Sequence, residues 1–378
     1  MLDLVRQEVL NLAHTIVVKV GTNVLTHANG TLNHDRLRGL AEQLHRLRQQ
    51  GKQVVLVSSG AIGAGIGLLK LPGRPNDLRR LQAAAAIGQC ALMAAYEEYF
   101  SPYGYHASQL LLTASDFDHR SRCLNVRNTI LTLFEWNCIP VINENDTVSV
   151  AEIKFGDNDQ LAAMVTNLLR APLLILLTNV DGLYSADPRV DPSAKLVTTV
   201  PEIDGSITAL AGDTKSTFGS GGMRSKLKAA RLVTIAGDSV IMANGSHPTI
   251  LEEILSAQPV GTLFLPRGGL FSARKRWIGL IAKPRGKLVV DDGARRALIE
   301  KGRSLLPIGI TDVVGNFGKG DVVSITDRDG QELARGLTNY AAADIWQIRG
   351  KRSEDVLSHL GKRAYEEVVH RDNLVVTI

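Results

Sequence analysis

Short, mainly apolar runs rich in β-branched residues alternate with helical patterns along the first part of the chain. Thr15–Val20 has the composition of a buried strand, and apolar residues then recur at helical spacing up to a stop at Gly51. Further strand-like runs are Val54–Val57, Ile139–Ile142, Leu173–Leu177 and Val240–Met242. Strands without a polar face, separated by helices, predict an α/β fold whose mainly parallel sheet is covered by helices on both sides.

Length and cysteine usage limit the class of protein. A chain of 378 residues with 44% hydrophobic content can bury a large core, and its length predicts two or three domains. Cys90, Cys123 and Cys138 are odd in number and lack C-x-x-C spacing, which argues against a disulfide framework or a zinc site. We therefore expect a cytoplasmic protein, with neither a signal peptide nor membrane insertion.

The basic excess of the chain lies in its last third. Residues 263–378 carry 20 Lys and Arg against 14 Asp and Glu, which marks a second module that could attract RNA or another anion. The basic residues near its start are Arg274, Lys275, Arg276, Lys283, Arg285 and Lys287. They have no platform of aromatic residues beside them, so a solvated basic face is preferred to RNA binding.

Two of the predicted strands end in segments suited to an anion. The first strand contains Lys19 and continues into Gly21; a buried lysine needs an anionic partner, although its stem could instead reach the surface. The second strand continues into Ser58–Gly67, a run of small residues whose N–H groups can surround an oxyanion or permit close helix packing. This run matches neither the G-x-G-x-x-G nor the P-loop pattern.

Polar segments also follow the later strands. Asn143–Thr147 carries groups that can recognise an amine and hydroxyls, or it is a plain polar turn. Phe155–Leu161 opens an apolar helical pattern, where short polar side chains either cap the helix or face a ligand. Thr178–Tyr184 follows another strand, and Phe218–Lys226 is a glycine turn before a helical pattern. Glycines, a helix N-terminus and a lysine together predict a phosphate site, with a mobile loop as the alternative.

In this order, the segments carry a resemblance to a known family. The motifs are V-K-V-G-T, V-S-S-G-A-I-G-A-G, V-I-N-E-N-D, E-I-K-F-G-D-N-D, L-L-T-N-V-D-G-L-Y-S-A-D-P-R and G-S-G-G-M-R-S-K-L. They resemble the amino acid kinase family, and within it the branch that acts on glutamate. The segments Val290–Ala294, Ser304–Ile310 and Gly315–Asp321 are similar to a PUA domain. The resemblance implies an amino acid kinase-like αβα sandwich followed by a small, mainly-β PUA-like domain.

The resemblance implies ATP-dependent phosphorylation of the γ-carboxylate of L-glutamate to L-glutamyl 5-phosphate, the first step of proline synthesis. A carboxylate is already a nucleophile, so the enzyme needs no general base and acts by positioning and charge neutralisation. The same fold serves kinases of acetylglutamate, aspartate, carbamate and UMP. The spacing of the N-E-N-D and G-D-N-D motifs and the appended module favour glutamate.

By resemblance, Lys19 and Lys226 hold the phosphates, and Asp159 between them keeps both lysines charged and fixed. The positions that match glutamate-binding residues of the family are Ser59, Asp146 and Asn158, with Asp146 paired to the substrate ammonium. The positions that match ATP-binding residues are Lys19, Thr178, Asn179, Ser220, Gly221, Gly222, Met223, Arg224, Ser225 and Lys226.

The implied cofactors are ATP and Mg²⁺, with magnesium bridging the nucleotide phosphates and no protein ligand assigned to it. Three positions depart from the usual family pattern. Ser58 and Ser220 stand where Thr is usual and keep the hydroxyl. Asn179 stands where an Asp often follows the Thr, so it removes a negative charge near the nucleotide and is predicted to alter nucleotide preference or affinity.

The predicted organisation is a catalytic domain over residues 1–262, a linker over 263–275 and a PUA-like domain over 276–378. The expected partners are L-glutamate, a second copy of the chain in a homo-oligomer, and proline as a feedback inhibitor that shares the glutamate pocket. Transient docking with glutamyl phosphate reductase is a further expectation, because the acyl phosphate product is labile. An RNA-binding regulator that uses the kinase fold as a scaffold is the competing hypothesis.

Overall fold

The computed structural model describes residues 3–27, 29–148, 158–211, 222–268, 271–352, 355–356 and 365–377. The chain divides into two compact units. The first contains Met1–Asp116 with Ser121–Leu270, and the second contains Phe117–Arg120 with Phe271–Ile378. Each unit has a sheet and a hydrophobic core of its own.

The first unit is built on a large sheet. Its strands are β1 Thr15–Val20, β2 Gln53–Ser58, β3 His106–Leu112, β4 Cys138–Glu144, β5 Leu173–Thr178, β6 Thr199–Val200, β7 Ser239–Asn244 and β8 Thr262–Phe264. Within the described residues their order is β3-β4-β2-β1-β5-β7-β8-β6. Every neighbouring pair is parallel except β7 with β8, which is antiparallel. The prediction of a mainly parallel sheet in an α/β fold is confirmed.

Helices connect these strands. Along this part of the chain they are α1 Leu4–Leu12, α2 Thr22–Leu25, α3 His34–Gln49, α4 Ala61–Leu68, α5 Leu78–Phe100, α6 Ala114–Asp118, α7 Arg120–Glu135, α8 Asn158–Leu169, α9 Gly205–Ala209, α10 Met223–Thr234 and α11 Ile250–Leu255. The central strands β1 and β5 are buried along their whole length, as their apolar sequences predict. No helix among the described residues is long and apolar enough to cross a membrane.

Helices α4 and α5 pack against each other through glycines. A Cβ atom at Gly65 would lie 1.9 Å from the carbonyl oxygen of Ala84, and one at Gly88 would lie 1.8 Å from that of Ala61. Only hydrogen atoms fit in these gaps, so the two helix backbones touch directly. Close helix packing, one of the two alternatives that the sequence left open for Ser58–Gly67, is confirmed at Gly65.

The second unit has a smaller sheet. Its elements are α12 Ala273–Arg276, β9 Gly286–Val290, α13 Asp292–Ile299, β10 Ile310–Gly315, β11 Val322–Thr326, β12 Glu332–Leu337, α14 Ala342–Ile348 and β13 Leu374–Val376. In the part of the unit that the structure describes, the strand order is β10-β9-β11-β12-β13, and β9 with β11 is the parallel pair. Its core includes Leu288, Val323 and Ile325, each fully buried. A small β-rich C-terminal domain agrees with the sequence prediction.

The glycine contact predicts a large difference between two Gly→Ala substitutions in helices. Gly88→Ala forces α4 and α5 apart, so we expect the free energy of unfolding to fall by about 2 kcal/mol or more. Gly39→Ala in α3 is the matched control, because nothing lies within 4 Å of its added methyl group. Its free energy of unfolding is expected to rise by up to about 1 kcal/mol through helix propensity. Urea denaturation measures both, and equal changes in the two variants would contradict the packing argument.

Candidate active site

One buried carboxylate is shared by two lysines at the centre of the first unit. Asp159 Oδ1 lies 2.5 Å from Lys19 Nζ, and Asp159 Oδ2 lies 3.0 Å from Lys226 Nζ. Asp159 is fully buried, and the two lysines are 5% and 9% exposed. The three groups together carry a net charge of about +1, so the cluster favours an anion beside it.

The charges of the lysines decide the protonation state of Asp159. Burial is the strongest influence and by itself raises the pKa of this carboxyl, but the charges and hydrogen bonds of Lys19 and Lys226 together outweigh burial and lower the pKa to about 2. Asp159 is therefore ionised at neutral pH and far too weak a base to accept a proton there. Its chemical use is to fix the positions of the two ammonium groups.

Three elements bring this cluster together. Lys19 lies on β1 immediately before the turn at Gly21, and Asp159 is the second residue of α8. Lys226 is the fourth residue of α10, which begins after Gly222 in an extended conformation. The first turn of α10 thus presents backbone N–H groups and a lysine at the same end of the helix, which suits phosphate oxygens. The predicted segments Met223–Ser225 form this first turn.

A second group of polar residues lies beside the cluster. The Nδ2 atom of Asn158 lies 3.0 Å from Ser58 O, 2.9 Å from Ser59 Oγ and 2.8 Å from Asn143 Oδ1. Asn158 directly precedes Asp159 at the start of α8, so this group and the lysine cluster are adjacent. Asp146 lies in the turn after β4, three residues beyond Asn143.

The end of β5 carries the predicted nucleotide positions. Thr178 Oγ1 donates to Asn179 Oδ1 over 3.3 Å. Two residues on, Asp181 accepts hydrogen bonds from Asn244 Nδ2 at 2.8 Å and from Tyr184 Oη at 2.9 Å. The bond to Asp181 raises the pKa of Tyr184, so the phenol stays protonated as the donor. These contacts fix the loop after β5 against the end of β7.

The structure brings together a large share of the residues singled out from sequence. It joins Lys19, Asp159 and Lys226 in one ion-paired cluster, and it joins Ser59 to Asn158 by a hydrogen bond. Predicted positions that lie outside the described residues are Phe155, Gly156, Asp157, Phe218, Gly219, Ser220 and Gly221.

Three residues with direct roles in this geometry were missing from the predicted site. Asn143 was named only as part of a polar strand end, although it contacts Asn158. Asn244 ends β7 beside the nucleotide loop, and its polar position at the end of an apolar strand was the available signal. Gln89 contacts Asn143, and its only sequence signal is an amide within the alanine-rich helix α5.

Sequence comparison identifies two families in the chain. The amino acid kinase family matches residues 14–244, and the PUA domain matches residues 286–360. A glutamate 5-kinase from Caldanaerobacter subterraneus subsp. tengcongensis is 47% identical over 361 residues, covering 96% of this chain and 97% of that protein. A glutamate 5-kinase from Geobacter sulfurreducens is 47% identical over 371 residues, covering 98% of this chain and 100% of that protein.

Solved structures that match this chain include two of low sequence identity. Carbamate kinase from Giardia lamblia bound to AMP-PNP is 18% identical, with a TM-score of 0.49, and the match covers 68% of this chain and 99% of that one. UMP kinase from Bacillus anthracis is 14% identical, with a TM-score of 0.48, and the match covers 68% and 98%.

The lowered pKa of Asp159 predicts a component of acid instability. Because its folded pKa of about 2 lies below the ordinary value of 3.8 for an aspartic acid, its stabilising effect is complete above pH ~5 and is lost as the pH falls toward about 2. The difference in free energy of unfolding between the native chain and Asp159→Asn should therefore be constant near neutral pH. It should shrink by roughly 1 kcal/mol by pH ~3, and by roughly 2 kcal/mol once the pH is below the folded pKa.

Urea denaturation of both proteins at several pH values between about 3 and 7 measures this difference. Carboxylates elsewhere titrate in both proteins and cancel. A difference that stays the same throughout this range would contradict the ionised, doubly paired state of Asp159.

Proposed function

Because this chain belongs to the amino acid kinase family, we propose that it transfers the γ-phosphoryl group of ATP to the γ-carboxylate of L-glutamate. The product is L-glutamyl 5-phosphate, the first intermediate of proline synthesis from glutamate. The resemblance found in the sequence motifs is confirmed, both for the kinase and for the PUA domain. The observation that carries the proposal within the site is the buried carboxylate of Asp159 between two lysines.

The chemistry needs charge placement more than proton transfer. The attacking γ-carboxylate is ionised at neutral pH, so the site has no proton to remove. What must be overcome is repulsion between this carboxylate and the phosphoryl group, together with charge that develops on the transferred and leaving oxygens. Lys19 and Lys226 supply two cations, and Asp159 holds both in fixed positions without neutralising them completely.

Glutamate is assigned to the polar group beside this cluster. Asp146 supplies a carboxylate for the substrate ammonium, and Ser59 and Asn158 supply hydrogen-bonding groups near the start of α8. Because Asn158 and Asp159 are consecutive, a glutamate bound at Asn158 lies next to the lysines. This arrangement supports in-line transfer from a nucleotide held at α10 to a carboxylate held at α8.

ATP is assigned to the first turn of α10 and to the loop after β5. Magnesium enters with ATP as its phosphate chelate, and is thus part of the substrate. Both oxygens of Asp159 are paired with lysines. The absence of a negative charge at Asn179 leaves Asp181 as the first carboxylate after β5.

Several features of the proposed enzyme rest on the family alone. They are a homo-oligomeric assembly, feedback inhibition by proline in the glutamate pocket, transient docking with glutamyl phosphate reductase and a cytoplasmic location. The boundaries at residues 262 and 276 stay a prediction, as does the solvated basic face of the C-terminal domain.

Substitution of Lys226 tests the phosphoryl-transfer role. Lys226→Met removes one of the two cations, so we expect kcat to fall by about 100-fold or more. Lys228→Met is the matched control, because Lys228 lies on the same helix with its side chain exposed, and its kcat should change by less than about twofold. Turnover is measured with ATP, magnesium and L-glutamate, and hydroxylamine traps the acyl phosphate as a hydroxamate.

The same assay can reject the proposal in two ways. Full activity of Lys226→Met would remove Lys226 from the chemistry while leaving the reaction intact. If the native chain forms no hydroxamate with glutamate but does so with aspartate or acetylglutamate, the substrate assignment fails and the kinase assignment stands. Silence with every acid would favour the RNA-binding hypothesis.

Asp146 provides a separate test of the glutamate pocket. Asp146→Asn keeps the size of the side chain but loses the charge-assisted bond to the ammonium, so KM for glutamate should rise about 10- to 100-fold. The kcat at saturating glutamate should change far less, because the lost contact is made equally in the ground and transition states. The KM for ATP serves as the internal reference. A shift confined to KM for ATP would assign Asp146 to the nucleotide instead.

A further inference from the structure

A chain of side-chain amides runs from α5 to the proposed glutamate pocket. Gln89 Nε2 donates to Gln109 Oε1 over 3.0 Å, and Gln89 Oε1 accepts from Asn143 Nδ2 over 2.9 Å. Asn143 Oδ1 then accepts from Asn158 Nδ2 over 2.8 Å. Gln89, Asn143 and Asn158 are each buried, so water cannot replace these bonds freely.

Two backbone groups, which contact Asn158 and Asn143, fix the direction of every hydrogen bond in this chain of side-chain amides. Ser58 O can only accept, so it holds Asn158 with the Nδ2 group toward the protein. The backbone N–H of Glu144 can only donate, and it lies 2.9 Å from Asn143 Oδ1. Asn143 must therefore turn its Nδ2 group toward Gln89, and Gln89 must place its Oε1 acceptor there.

The orientation of Asn158 leaves its carbonyl oxygen on the opposite side of the amide. Among the described residues, Asn158 Oδ1 accepts no hydrogen bond, whereas the Nδ2 atom is within reach of three acceptors. An amide oxygen suits the N–H donors of an ammonium group and repels a carboxylate. The amide chain thus determines which atom of Asn158 faces the substrate.

Helix α5 also contacts the segment Ser58–Ser59 beside Asn158. Tyr96 Oη lies 2.7 Å from Ser58 Oγ, and Tyr96 is fully buried on the same helix as Gln89. The residue before Gln89 is Gly88, whose contact with Ala61 holds α5 directly against α4. Gln89 is consequently held by packing that leaves it little freedom to move.

We propose that Gln89 is a positioning residue for the amino acid substrate. It holds Asn143 in place, and Asn143 together with Ser58 O holds Asn158 with Oδ1 presented to the substrate ammonium. This inference rests on the proposed function, since it assigns Asn158 to the substrate pocket. Gln89 itself touches neither the lysines nor Asp159 in any contact that the described residues make.

Two substitutions of similar size separate this role from simple packing. Gln89→Met leaves the buried Nδ2 group of Asn143 without its acceptor, so Asn143 is no longer held in place. Asn158 then loses its firm contact with Asn143 Oδ1, although Ser58 O still orients its amide. Gln89→Glu keeps an oxygen that accepts from Asn143 in either protonation state, and the Gln109 amide can rotate to meet the other oxygen. We expect Gln89→Met to raise KM for L-glutamate at least about tenfold, with KM for ATP changed less than about twofold. Gln89→Glu should restore KM for L-glutamate to within about threefold of the native value.

The measurement is initial-rate kinetics of hydroxamate formation in the full chain, with glutamate and ATP varied separately. An unchanged KM for glutamate in Gln89→Met would overturn the proposal, as would equal increases in the KM for glutamate and for ATP. A failure of Gln89→Glu to restore the KM would also overturn it. If Gln89→Met does not fold, Gln89→Ala carries the same expectation without risk of overpacking. A native chain that forms no hydroxamate from glutamate refutes the proposed function instead, independently of the variants.

Discussion

The ionised carboxylate of Asp159, buried between two lysines, is the interaction on which the site depends. Burial raises the pKa of this carboxyl, and the charges and hydrogen bonds of Lys19 and Lys226 together lower it to about 2. The three residues come from β1, α8 and α10, so the charge pattern exists only once the sheet and both helices have assembled. Loss of Asp159 would leave two buried ammonium groups without a counter-charge, which is among the costliest defects in a folded protein.

The same interaction shows which tasks the protein has in the proposed reaction. A carboxyl with a pKa of about 2 cannot act as a general base, and a carboxylate substrate does not require one. In the proposed reaction, the protein contributes fixed positive charge on the phosphate side and hydrogen-bonding groups on the amino acid side. Asn158 and Asp159 join these two sides by adjacent positions at the start of one helix. Rate enhancement in such a site comes from preorganised electrostatics.

The sequence predicted the central strands and the ion cluster far better than the supports around them. Runs such as Thr15–Val20 are apolar on both faces, which is a local signal of a buried parallel strand. Lys19, Asp159 and Lys226 belong to motifs with recognisable order. Gln89 has no such mark, because its partner Asn143 lies 54 residues away and only the tertiary fold brings them together. The antiparallel pairing of β7 with β8 also follows from chain routing, which strand composition does not encode.

The glycine contact between α4 and α5 has a mechanical consequence. Where side chains mediate a helix contact, rotamer changes let one helix slide over the other, but at Gly65 and Gly88 backbone meets backbone. The two helices therefore behave as one rigid unit. Ser59 lies just before α4, and Gln89 and Tyr96 lie on α5. If the site narrows around bound substrates, other segments must move relative to α4 and α5, because these two helices cannot slide over each other.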